Sequence, residues 1–162
     1  MALADQNFRV MTTNKKISSI NDFKGLKIRT MENSNHIAFW KAIGANPTPM
    51  TMSEVYIGLQ QGTIDAQENP YEVIVSSKLY EQQDYVVETN HLPHYISLIV
   101  SDEFFQDLPK DQQKIIMQAS ETAKEYARKA SDQRIADRVK VIKDSGTKIV
   151  KLDEKVQKDV RK

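Results

Sequence analysis

The chain has no cysteine, which excludes disulfide staples, thiolate metal centres and a cysteine nucleophile. Charge of one sign is also lacking. Its 23 Lys and Arg against 22 Asp and Glu leave a formal +1, so nothing electrostatic draws it to nucleic acid or to an anionic membrane surface. No apolar run approaches the length that crosses a bilayer. The opening MALADQNFRV carries neither the basic nor the apolar region of a secretory leader. There is no phosphate loop, no nucleophile elbow, no G-x-G-x-x-G and no H-E-x-x-H. His36, His91 and His94 lack ligand-like spacing, so neither a metal nor a cofactor is expected. What remains, 162 residues, suffices for one domain with a substantial core.

The most informative stretch is 48–70, TPMTMSEVYIGLQQGTIDAQENP. Pro47 and Pro49 keep its approach extended, because proline fixes its own φ and biases its predecessor away from helix. Thr51 and Glu54 fit a capping box. Met52, Val55, Tyr56 and Leu59 then recur at helical spacing, and Gly62 supplies a stop. Residues 63–67 form a strand candidate, followed by a polar corner at Glu68-Asn69-Pro70. Polar groups at a strand end suggest a lined crevice, where open α/β sheets place their ligands. Glu68 and Asn69 serve equally well as simple cap and turn residues.

Elsewhere, strands are expected over 8–12, 26–30, 85–89, 95–100 and 147–152, and helices over 34–43 and 71–80. Within 26–30, Leu26 and Ile28 point one way and Lys27 and Arg29 the other. Ile37, Trp40 and Ile43 share a helix face that Gly44 ends. The longest pattern runs from Pro109 to Ser145, with Gly146 as its stop and Ile115, Ala119, Ala123, Tyr126, Ala130, Ile135, Val139 and Ile142 as one apolar stripe. Unbroken, it spans about 55 Å. Alternating strands and helices argue an α/β fold with a mostly parallel sheet flanked by helices.

The string GANPTPM–SEVY–LQQG–ID–QENP resembles the signature of DctP-type extracytoplasmic solute receptors, the substrate-binding subunits of TRAP transporters. The resemblance runs from about Phe8 onward. One departure is Ala66, where the family usually has glycine; a second is Asn7 directly before Phe8. The resemblance implies a lobe of the periplasmic-binding-protein kind. Residues 1–92 and 147–162 would form a second lobe, and 93–146 an excursion packing on a first lobe. It further implies an extracytoplasmic parent of which this chain is a fragment, a small organic acid as ligand and the TRAP membrane subunits as partners.

By the same resemblance, Arg29 in LKIRTMEN is the clamp for the ligand carboxylate; by the residues alone it is a surface strand arginine. A planar guanidinium suits that role because it can make two parallel charge-assisted bonds. Asn69 in QENP donates to the same carboxylate, and Arg9 in NFRVMTTN touches ligand in some members. Asn33 and Met52 line the pocket, Met52 standing where many members carry Phe. His91 is a polar contact or a plain hydrogen-bonded loop histidine. Two further readings stand beside this one. A hydrolase built on Asp65, Glu68 and His91 is disfavoured, since a spacing of three on a strand and turn gives no shared face. A self-associating fragment would instead use the long helix to form a homo-oligomer.

Overall fold

A computed structural model describes residues 2–161; residues 1 and 162, the ends of the expected lobe, lie outside the described residues. Six strands form one sheet: β1 (Ala2–Thr13), β2 (Lys27–Thr30), β3 (Asn46–Pro49), β4 (Ala66–Asn69), β5 (Tyr85–Leu98) and β6 (Lys148–Lys151). Their spatial order is β3-β2-β4-β1-β5-β6. β1 runs antiparallel to both β4 and β5, while β2 is parallel to β3 and β4, and β5 to β6. The sheet is therefore mostly parallel with one inverted central strand.

Helices α1 (Ser34–Ala42), α2 (Met52–Gln60), α3 (Tyr71–Ser76), α4 (Asp102–Asp107), α5 (Lys110–Asp144) and α6 (Glu154–Arg161) flank it. The expected capping box of Thr51 and Glu54 forms, and Asn33 caps α1 by accepting from the amides of Asn35 and His36. Gly44, Gly62 and Gly146 take positive φ where helices end, a conformation a Cβ would strain.

Two apolar layers cover the two faces of the sheet. One contains Met11, Phe23, Leu26, Ile28, Trp40, Val87 and Val156. The other contains Val10, Val55, Leu59, Ile64, Ile74, Val86 and Ile142. Strand alternation assigns the side chains. Val10 lies opposite Asn69 and Thr12 opposite Gln67, so these four share the second face, whereas Met11 and Glu68 share the first.

Three expectations need correction, and one, the extended stretch at Pro47 and Pro49, is sharpened. The fourth strand is Ala66–Asn69 rather than 63–67, so Glu68 and Asn69 lie in the sheet and not in a turn. Pro47 and Pro49 sit in a strand, β3, which proline tolerates here because β3 is at the sheet edge. The helix over 71–80 stops at Ser76, and Lys78 at φ 53 leads into a 3₁₀ turn. The two strands over 85–100 are one, β5, whose turn-like Asn90 takes φ 44 and bends the strand without ending it.

The long helix is also not one stripe. Ile135, Val139 and Ile142 pack into the second layer, while Ile115 is 61% and Tyr126 71% exposed. At about 100° per residue, Ile115 and Ile135 are displaced by about 200° around the axis. The buried residues of the helix are instead Gln113, Ser120 and Ile142, with Ile142 in the second layer and Gln113 donating to the carbonyls of Gln106 and Leu108.

Candidate functional site

The polar residues collect where β2 and β4 end, at the edge of the sheet to which their carboxyl termini point. Arg29, next to last in β2, is paired in register with Gln67 of β4. Parallel pairing puts Arg29, Gln67 and Asn69 on the same face, beneath the start of α2. Arg29 is 4% exposed, and its Nε donates to the carbonyl of Met50 at 2.8 Å. Its two Nη groups have no protein partner among the described residues. Burial lowers its pKa, Glu68 nearby raises it and Arg9 lowers it again.

Arg9 presents the opposite case. Its Nε donates to Glu68 Oε2 at 2.5 Å, and its Nη2 donates to Glu68 Oε1 at 3.0 Å, to the Glu68 carbonyl at 2.9 Å and to Asn69 Oδ1 at 2.8 Å. Its Nη1 lies 3.4 Å from His94 Nδ1. The guanidinium thus reaches around the strand ends, joining Glu68 on the first face to Asn69 on the second.

Glu68 is fully buried. Burial alone would raise its pKa, but hydrogen bonds from His36, His91 and Arg9, with the charge of Arg9, hold it well below the usual carboxylate range. His91 Nε2 lies 3.1 Å from Glu68 Oε2, and its Nδ1 lies 2.8 Å from Thr89 Oγ1. The ring stacks on Phe39 at 5.3 Å and meets Trp40 edge-on at 5.0 Å. Asn33, His36, Phe39, His91 and Leu92 line a pocket of about 270 Å³ on this side.

Of the residues singled out from sequence, Arg9, Arg29 and Asn69 converge at the strand ends. Met52 joins them, its Sδ lying 3.9 Å from Asn69 Nδ2. Asn33 and His91 gather instead at the neighbouring pocket across the sheet edge. The acid/base set of Asp65, Glu68 and His91 is divided. Asp65 accepts from the backbone of Lys27 at the opposite end of β2, while Glu68 and His91 are together. Sequence reasoning passed over Glu68 as the hub, with His36 and Gln67. The available signal was the run Gln67-Glu68-Asn69, polar side chains placed in succession where a short strand should be buried.

The family described as "Bacterial extracellular solute-binding protein, family 7" (DctP) matches residues 1–162. A solute-binding protein of Roseobacter denitrificans is 37% identical over 145 residues, covering 90% of this chain and 45% of that protein. Its TRAP periplasmic solute-binding structure with bound L-galactonate superposes with a TM-score of 0.89 at 34% identity, covering 99% of this chain and 53% of that one. The 2,3-diketo-L-gulonate-binding periplasmic protein YiaO of Escherichia coli is 38% identical over 142 residues, 85% of this chain and 42% of that protein. A Haemophilus influenzae TRAP solute-binding structure with bound L-gulonate gives a TM-score of 0.93 at 33% identity, covering 98% of this chain and 52% of that one. The chain spans about half the length of the relatives it matches.

Proposed function

The chain belongs to family 7 of the bacterial extracellular solute-binding proteins, and from that membership we propose that it captures a small organic acid for uptake by a TRAP transporter. The observation that carries this reading is Arg29: a buried guanidinium anchored by one nitrogen, with both Nη groups unpartnered among the described residues. Such a fork suits a carboxylate, which it can grip through two parallel charge-assisted bonds.

The charge balance supports a single carboxylate. Glu68 neutralises Arg9 within the cluster, leaving Arg29 as its uncompensated cation. Relatives with bound L-galactonate and L-gulonate favour a hydroxylated monocarboxylic acid. In this reading Arg29 takes the carboxylate, Asn69 donates to it, and Met52 forms an adaptable wall. Arg9 orients Asn69 and borders the ligand, while Asn33 and His91 face the hydroxylated remainder.

The same reading takes the chain as part of a two-lobed receptor, consistent with its covering about half the length of its relatives. In it, residues 1–92 and 147–162 belong to one lobe and residues 93–146 are an excursion that would reach a further lobe, although Ile135, Val139 and Ile142 of the excursion also pack on this sheet. Ligand contacts with both lobes would drive closure. No bond is made or broken. The receptor works outside the cytoplasmic membrane and delivers its ligand to the TRAP membrane subunits; among the described residues no helix is long and apolar enough to cross a membrane.

A second reading, self-association through the long helix, is favoured by its exposed Ile115 and Tyr126 and by Ile99, 81% exposed beside it in sequence. Apolar area covered by a second copy stabilises at about 25 cal/mol per Å².

Thermal-shift titration of the two-lobed receptor with L-gulonate and with its neutral lactone tests the proposal. Stabilisation by the acid and not by the lactone supports it. Equal response to both, or to neither, overturns it.

A further inference from the structure

A chain of buried hydrogen bonds leaves the site and runs through the second apolar layer. Arg9 Nη2 donates to Asn69 Oδ1 at 2.8 Å, and Asn69 Nδ2 donates to Gln67 Oε1 at 2.7 Å. Gln67 Nε2 donates to Thr12 Oγ1 at 3.0 Å, and that hydroxyl donates to Gln83 Oε1 at 3.0 Å. Gln83 Nε2 closes the chain on the carbonyl of Gln82 at 3.0 Å. Gln67 and Thr12 are fully buried, Gln83 nearly so, and Gln67 stands in register between Arg29 on one side and Thr12 on the other.

This chain can run in only one direction. A guanidinium donates and never accepts, so Asn69 must turn its oxygen toward Arg9. Its NH₂ then faces Gln67, which must answer with its own oxygen. The same constraint passes to Thr12 and Gln83, and the terminal carbonyl can only accept. Reversing Asn69 would set donor against donor at Arg9 and acceptor against acceptor at Gln67. Reversing Gln67 would set donor against donor at Asn69, and reversing Gln83 would set its oxygen against the Gln82 carbonyl; the Thr12 hydroxyl alone can turn either way. Asn69 is thereby held with one amide hydrogen on Gln67 and its nitrogen 3.9 Å from Met52 Sδ. A thioether is a weak acceptor, which a carboxylate oxygen readily displaces.

We propose that Gln67 and Thr12, with Gln83 behind them, are positioning residues that lock the Asn69 amide so that it presents a donor toward the Met52 side of the cleft. The lock is a property of the fold; its use in gripping an acid rests on the function proposed above. Polar side chains at alternating positions through an otherwise apolar layer are costly unless every member is satisfied, and here each one is.

The test pairs Thr12→Val, which keeps the shape and removes both hydrogen bonds, with Thr12→Ser, which keeps the hydroxyl. Side-chain amide signals of Asn69, Gln67 and Gln83 are followed by nitrogen-15 NMR on this chain, and L-gulonate affinity by calorimetry on the two-lobed receptor. Thr12→Val is expected to shift and broaden the Asn69 amide pair, although Thr12 does not touch it. Binding should weaken about fivefold, the low end for coupled sites, and Thr12→Ser should restore both readouts. Gln83→Leu breaks the far end of the chain and gives the same two readouts if Thr12→Val does not fold. Unmoved Asn69 signals, or full gulonate affinity in Thr12→Val, would overturn the proposal. A wild-type receptor that binds no acid removes the proposed function instead, and the Asn69 signals then decide the lock by themselves.

Discussion

Arg9 and Glu68 lie side by side across β1 and β4, both buried, with Arg9 Nε 2.5 Å from Glu68 Oε2. Each neutralises the other, and His36 and His91 attend the same carboxylate. The pair fixes the arginine that orients Asn69, so the polar cluster at the strand ends depends on a charge that never meets solvent.

Glu68→Gln removes that compensation while keeping the shape. Breaking a buried ion pair by removing one partner costs about 3–5 kcal/mol, a large share of the stability of an ordinary domain. Urea denaturation should show the midpoint falling steeply. A variant as stable as the parent would mean that Arg9 finds another partner.

Acid should destabilise the protein in two stages. His94 is held below its ordinary value of 6.5 by burial and by Arg9. Its contribution is therefore present above pH 6.5 and is lost as the pH falls toward its folded-state pKa. Glu68, held well below its ordinary 4.5, contributes fully above pH 4.5 and loses that contribution as the pH falls further. Thermal melting between pH 8 and 3 should show both declines, and His94→Gln should flatten the upper one alone. A melting temperature that rises on acidification would contradict both assignments.

Much of this was legible in the sequence because local chemistry set it. The cap at Thr51, the stop glycines and the long helix all follow from residues within a turn of one another. The strand over 66–69 was misplaced by its composition: Gln67, Glu68 and Asn69 read as a polar corner, and only tertiary pairing buries them. Asn90 and Pro93 read as a break, yet β1 supplies Phe8 and Arg9 as partners and carries β5 through. Arg29 and Asn69 were found through motif strings; that they share a face with Gln67 depends on a register no local pattern reveals.

Met52 lies against the Asn69 amide and also packs on the second apolar layer; under the proposed function it forms part of the cleft wall. Met52→Phe should alter the ranking among sugar acids in a thermal-shift panel and leave the unfolding midpoint within about 1.5 kcal/mol of the parent's stability. An unchanged ranking would place Met52 outside the ligand wall.

The isolated chain should associate with itself. Ile99, Ile115 and Tyr126 stand exposed, and covering them with a second copy favours a dimer. Light scattering should give more than one chain per particle, and Ile115→Lys with Tyr126→Lys should return it to a monomer. A monomeric parent chain at high concentration would remove the self-association reading.

In the proposed function the two Nη groups of Arg29, without a protein partner among the described residues, hold the ligand carboxylate. Calorimetric titration of L-gulonate into the two-lobed receptor and its Arg29→Lys variant tests it directly. Lysine keeps the charge and loses the fork, so binding should weaken by about 1.5–3 kcal/mol for each charged hydrogen bond lost, with the fold unchanged by circular dichroism. Wild-type affinity in the lysine variant would contradict the account.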